Sequence, residues 1–143
     1  MRSVDTNILI HAYSSDSPRH DVSAALMDSL AGSGAPWAIA WPCIHEFFGA
    51  VTRRSRFPHL PGPAVALAQI EEWLSSPSLT LLSESRNHWE TLSRLVRDHD
   101  ITGPVVHDAK IAAICLDHGV DEFVTFDRDF NKFPELKVRT LTA

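Results

Sequence analysis

The sequence predicts an α/β fold, a parallel sheet with helices covering both faces. Three observations predict it. Short apolar runs alternate along the chain with longer stretches whose apolar residues recur at helical spacing. Proline, glycine and serine punctuate the boundaries between them. The length, 143 residues, suits one domain with a full core and falls short of two. A single domain over residues 1–143 is therefore expected.

Each element has its own signal. Arg2-Ser3-Val4 forms a short strand ending at Asp5, and Ile8-Leu9-Ile10 makes the helical turn after it. Pro18 to Leu30 fits a helix, with proline near its first turn and Gly32 and Gly34 closing it. Trp37 to Ala40, apolar and bounded by prolines, reads as a buried strand. From Cys43 to Arg53, Ile44, Phe47, Phe48 and Val51 recur at helical spacing. Pro63 to Leu74 opens on proline and stops at Ser75-Ser76-Pro77, and Leu79 to Leu82 is a strand. Trp89, Leu92, Leu95 and Val96 mark an amphipathic helix from about Arg86 to His99. Gly103-Pro104 breaks it, and a further helix runs from Val105 to His118, closed by Gly119. Phe123-Val124-Thr125 and Val138-Arg139-Thr140 are the last strands. The four tryptophans, Trp37, Trp41, Trp73 and Trp89, mostly fit core positions.

Composition narrows the class. The chain is 44% hydrophobic and 22% charged, so it buries a core and is not a disordered segment. Lys and Arg number 13 against 18 Asp and Glu, for a net charge of −5. Taken alone, that balance argues against a protein that coats nucleic-acid phosphates. Two cysteines, Cys43 and Cys115, cannot make a disulfide framework and point to a reducing compartment. Gly34 to Ile44 is the longest uncharged apolar stretch; it holds two prolines and is too short to span a bilayer. Asp5 interrupts the only candidate leader, so no secretory signal and a cytoplasmic location are expected.

In open parallel sheets the functional crevice lies beyond the carboxyl ends of the strands. Asp5 and Asp127 stand at such ends. Glu46 interrupts an otherwise apolar helix, and Asp108 lies in the first turns of the Val105 helix beside Ala109, Ala112 and Ala113. Those small side chains let the helix approach the sheet closely. Carboxylates gathered together repel and resist ionising, unless a cation sits among them. Oxygen-only ligands suit Mg²⁺ or Mn²⁺, which can activate water and stabilise charge on a phosphodiester. Plainer roles stay open. Asp5 can cap a helix, Asp108 can complement a helix dipole, Glu46 can face solvent, and Asp127-Arg128-Asp129 can be a polar turn. Singly the acids are unspecific; together at strand ends they point to metal-dependent phosphodiester hydrolysis.

Four segments carry a resemblance: Val4-Asp5-Thr6-Asn7, the Glu46 helix, Val106-His107-Asp108-Ala109 with Ala112-Ala113, and Thr125-Phe126-Asp127-Arg128-Asp129-Phe130. The chain resembles a PIN domain, most of all the VapC-type ribonuclease toxins of toxin–antitoxin pairs, from Val4 to about Leu141. The resemblance implies a single-domain α/β/α sandwich and a Mg²⁺- or Mn²⁺-dependent endoribonuclease. It implies Asp5 and Asp108 as principal metal ligands, with Glu46 and Asp127 completing the catalytic set by positioning water or a second ion. Asp129 matches a frequent extra acid, and Thr6, Asn7 and Thr125 match the family's polar supports. Partners implied are an RNA substrate, a cognate antitoxin and a second copy in a homodimer, with no membrane. Gly103-Pro104 and His107 depart from the commonest pattern, but neither removes an acid.

Other chemistries fare worse. His45-Glu46 begins a zinc motif, but Gly49 stands where its second histidine belongs. No phosphate-binding P-loop and no Gly-x-Ser-x-Gly elbow occurs, and Asn7 replaces the second aspartate of an aspartyl-phosphate phosphatase. A catalytically inactive PIN scaffold that binds RNA or a protein partner is the competing reading, though such a module has no use for a repulsive acidic cluster. Basic residues gather despite the acid excess. Arg53, Arg54 and Arg56, continuing into Phe57 and His59, suit an RNA backbone and a stacked base, or else a solvated helix end. Arg128 and Lys132 flank Asp127 as further phosphate contacts.

Overall fold

The computed structural model describes residues 1–142. In chain order the elements are β1 (Arg2–Val4), α1 (Thr6–Tyr13), α2 (His20–Gly32), β2 (Trp37–Ala40), α3 (Trp41–Val51), α4 (Pro63–Leu74) and β3 (Leu79–Leu82). Then come α5 (His88–Asp98), a 3-10 turn (Gly103–Val105), α6 (Val106–Asp117), β4 (Glu122–Thr125), a second 3-10 turn (Arg128–Lys132) and β5 (Val138–Thr140). The strands form one parallel sheet in the order β3-β2-β1-β4-β5. Helices α1 to α4 pack among themselves as one group, and α5 packs on α6 as another. The expected α/β/α sandwich is the fold.

That strand order decides where chemistry can sit. The chain builds outward from β1 through β2 to β3, then returns to place β4 on the other side of β1. The order therefore reverses between β1 and β4, where a crevice opens at the carboxyl ends. Arg2, Ser3 and Val4 pair with Glu122, Phe123 and Val124, so the residues after both strands emerge side by side. Asp5 follows the one strand and Phe126-Asp127 follow the other.

The core runs through the strands and the inner helix faces. Val4, Ala38, Ile39, Phe123 and Val124 are fully buried, as are Ile8, Leu9, Phe47 and Leu95. Helix α6 is buried almost all round: Ala109, Ala112, Ala113 and Cys115 have no exposure, and Ile111 has 1%. Its alanines explain how it can lie so close to the sheet. The helix ends in a Schellman motif, in which Val120 N–H donates to Cys115 O and Gly119 N–H to Leu116 O, with Gly119 at φ +67°. That positive φ is open to glycine at no steric cost and turns the chain straight into β4.

Several boundaries shift from expectation. The turn after Asp5 is a full two-turn helix, since Thr6 and Asn7 join it instead of preceding it. Pro18 stands in the turn before α2, which begins at His20. Helix α3 begins at Trp41 with no loop after β2, because Pro42 falls in its first turn, where its fixed φ and missing N–H are harmless. It ends at Val51, leaving Arg53 in the loop beyond. Among the tryptophans, Trp37 is 1% exposed but Trp89 is 76% exposed, at the start of α5. The packing therefore predicts opposite outcomes at two positions. Ala112→Leu should destabilise by about 1–3 kcal/mol through overpacking against the sheet, whereas Trp89→Ala should stay within about 0.5 kcal/mol of the parent. Urea denaturation midpoints read both.

Candidate active site

Asp5 caps α1: its Oδ1 accepts from Thr6 N–H at 2.7 Å, while its own N–H donates to Val124 O at 2.9 Å. Its side chain is thereby fixed in the crevice between β1 and β4. Its Oδ2 accepts from the Thr125 hydroxyl at 2.7 Å and from Asn7 Nδ2 at 3.2 Å. The Thr125 oxygen in turn accepts from Asn7 Nδ2 at 3.1 Å and from Asp127 N–H at 2.9 Å. One donor and two acceptor sites use the full capacity of a hydroxyl. Asn7 Oδ1 accepts from Phe126 N–H at 3.2 Å, tying the loop after β4 to α1.

The other acids arrive from three directions. Glu46, exposed midway along α3, accepts from the Thr6 hydroxyl at 2.6 Å, so Thr6 joins it to Asp5. Asp108 is half-buried in the first turn of α6. Asp127 caps the second 3-10 turn, accepting from Asp129 N–H at 2.8 Å. Carboxylate oxygens of Asp108, Asp127 and Asp129 lie within 4.8 Å of one another. Asp129 thus stands in the tightest group. Asp5 and Glu46 flank it, the first deeper and the second more exposed.

The titration behaviour follows from this crowding. Asp5 is 5% exposed. Burial pushes its carboxyl up to about 7; hydrogen bonds from Thr125 and Thr6 pull the other way, and the charges of Glu46 and Asp108 add to the rise. Asp108 is raised to about 6 by burial first, then by Asp127, Glu46 and Asp129, with Lys132 opposing. The donors are all carboxylate oxygens that repel one another, with Lys132 offsetting only part of it, a set that fits a hard divalent cation.

The basic residues divide. Arg128 is exposed beside Asp127, while Arg53 and Arg54 are exposed in the loop after α3 with no hydrogen bond or ion pair joining them to the acids. Arg56 lies over the Phe57 ring at 5.3 Å. Sequence reasoning missed Arg19, whose guanidinium sits 4.5 Å above the Phe126 ring, and His11, edge-on to that ring at 5.5 Å. Nothing local marks Pro18-Arg19-His20; only the aromatic residue inside Thr125-Phe126-Asp127 offers a hint. It missed too the groove of about 620 Å³ beside Glu46, lined by His45, Lys110 and Trp41, whose ring stacks on His45 at 6.0 Å.

The PIN domain profile matches residues 3–136. The chain belongs to the PIN domain family. Ribonuclease VapC48 of Mycobacterium tuberculosis is 30% identical over 136 residues, covering 94% of this chain and 93% of that one. Ribonuclease VapC37 of the same species is 28% identical over 133 residues, covering 93% and 92%. This PIN domain is of the VapC type. Solved structures share its fold: VapBC2 from Rickettsia felis, bound to a promoter DNA fragment, has a TM-score of 0.72 at 18% identity over 97% of both chains. Mycobacterium tuberculosis VapC20, described as a sarcin-ricin loop cleaving toxin, has a TM-score of 0.69 at 19% identity, covering 92% and 93%.

The raised Asp5 carboxyl gives this PIN domain a pH signature. Its folded value stands above the unfolded one, so its contribution to stability is full below about pH 4 and is lost as the pH rises through about 7. In chelator, the melting temperature should fall between about pH 5 and about pH 8, and Asp5→Asn, which keeps the cap, should flatten that fall. A shift of several degrees is expected, as ~1 kcal/mol moves a domain of this size by roughly 2–8 °C. Parallel curves for the two proteins would contradict the assignment.

Proposed function

We propose that this PIN domain is a metal-dependent endoribonuclease, the toxin of a type II toxin–antitoxin pair, hydrolysing RNA phosphodiester bonds. The observation that carries the reading is the trio of Asp108, Asp127 and Asp129 beside a buried Asp5 at the strand-order reversal. The relatives named ribonuclease VapC support the activity. Asp108, Asp127 and Asp129 would hold Mg²⁺ or Mn²⁺ together with Asp5. When bound, the ion supplies Lewis-acid stabilisation of phosphate charge and acidifies water.

The protein's own part is positioning. Thr125 and Asn7 clamp Asp5 so that its carboxylate cannot swing away, and the Asp127 cap does the same for its own carboxylate. Glu46, more exposed and held by Thr6, is placed to accept a proton from attacking water at the mouth of the site. Arg53, Arg54, Arg56 and Arg128 are proposed contacts to the RNA backbone.

Neighbouring solved structures include a toxin–antitoxin complex from Klebsiella pneumoniae. On that likeness we assign a cavity of about 470 Å³, lined by Ala24, Met27, Trp73, Asp28 and Glu72, to an antitoxin segment. Val65 and Leu67, each 49% exposed on α4, are the surface we assign to a second copy in a homodimer. None of the described helices is long and apolar enough to cross a membrane. With Cys43 and Cys115 both free and buried, we assign the protein to a reducing compartment, the cytoplasm.

Cleavage of RNA with Mg²⁺ or Mn²⁺ tests the reading. Asp5→Ala and Asp108→Ala should each lose roughly 10²- to 10³-fold in kcat, the scale of removing one preorganised electrostatic group, and a chelator should abolish activity. Equal cleavage by all three proteins would sink the site. Absence of both cleavage and divalent-ion binding would favour the inactive scaffold instead.

A further inference from the structure

An acidic site repels the polyanion it is proposed to cut, so cations must stand close by to hold the strand. Two arginines outside the carboxylate group lie over aromatic rings and have no acidic partner. Arg19, half-buried, lies over Phe126 at 4.5 Å, and Arg56 lies over Phe57 at 5.3 Å. Among the described residues no arginine forms an ion pair with a carboxylate.

His11 links the two. Its ring meets Phe126 edge-on at 5.5 Å, and it shares with Phe57 a cleft of about 270 Å³. Its Nδ1 lies 2.7 Å from the Ser17 hydroxyl, which also accepts from Arg19 N–H at 3.1 Å and so sets the turn that carries Arg19. Burial and the charges of Arg19 and Arg56 all hold His11 below its ordinary value. The acid on this cleft is Asp16, which faces His59 at 3.5 Å. The platform also adjoins the carboxylates. Phe126 N–H donates to Asn7, and the residue before it, Thr125, holds Asp5.

We propose that Arg19 and Arg56, with His11 beside them, form an anion subsite that grips a backbone phosphate of the RNA strand away from the bond being cut. The proposal rests on the ribonuclease reading for its ligand, but its geometry is separate from the acidic group. A guanidinium lying over a ring loses little further freedom on binding, and its planar fork matches a phosphate bidentately.

Two probes test it. Binding of a short single-stranded RNA in chelator, measured against salt concentration, should weaken at least about tenfold in Arg19→Gln and in Arg56→Gln. The slope of log K against log salt should shrink in each, reaching about 0.7 in the double variant, with Lys at either position recovering part of the loss. Arg94→Gln, on α5, should leave both unchanged, and cleavage by the two Gln variants should show a raised KM with kcat held. Inorganic pyrophosphate, titrated against the His11 imidazole NMR signals, should shift them in the parent and not in the double variant. Altered slopes without any cleavage would keep the subsite and remove the hydrolytic reading. Unchanged slopes, or no binding of RNA, together with an unmoved His11 signal, would overturn the subsite even in an active ribonuclease.

Discussion

A carboxylate kept at 5% exposure between two central strands costs free energy that the surrounding groups must offset. Asp5 is held there by the Thr6 amide, the Thr125 hydroxyl and the Asn7 carboxamide. Those three groups come from α1 and from the end of β4, so satisfying Asp5 welds the first crossover of the fold to the strand that arrives last beside it. The same bonds determine where the rest of the site can be. Asp127 is placed because its N–H reaches the Thr125 oxygen, and Glu46 because Thr6 bonds it as well as Asp5. The buried carboxylate is at once a helix cap, a sheet-end clasp and the floor of the acidic pocket.

Capping and chemistry are therefore not rival accounts of these acids. Asp5 caps α1 and Asp127 caps the turn after β4. In each case the capping bond engages one oxygen and orients the carboxyl group, which is what a ligand needs. The cost surfaces as raised carboxyl values at Asp5 and Asp108, about 7 and about 6. Folding without a cation thus favours protonated acids, and a cation held by them would have to expel those protons. Stability and pH are coupled through the same few atoms.

Much of this was legible in the sequence because it depends on local pattern. Alternating runs disclosed every strand, and the rule for strand ends picked out Asp5 and Asp127 before any resemblance was drawn. Glu46 stood out as an acid within Ile44 to Val51, and Asp108 by its alanine-rich helix. What stayed hidden depends on distance along the chain. Arg19 meets Phe126, and Asn7 meets Thr125, only because β1 and β4 lie side by side, and periodicity carries no information about which strands pair. Trp89 shows the opposite failure: an amphipathic pattern assigns a face to a helix, but not how far its first turn overhangs the core.

Charge illustrates why placement outweighs totals. The net charge of −5 describes a chain that should avoid polyanions. Asp5, Glu46, Asp108, Asp127 and Asp129 are nevertheless drawn to one end of the sheet, where each raises the need for a cation. At short range, Arg19 and Arg56 sit on aromatic rings with no carboxylate to neutralise them. Charges of opposite sign held at separate places would orient a strand of phosphates better than a uniformly basic face. The acidic balance that first weighed against an RNA partner is thus compatible with one, because the proposed arginine subsite would attract the strand that the carboxylates repel.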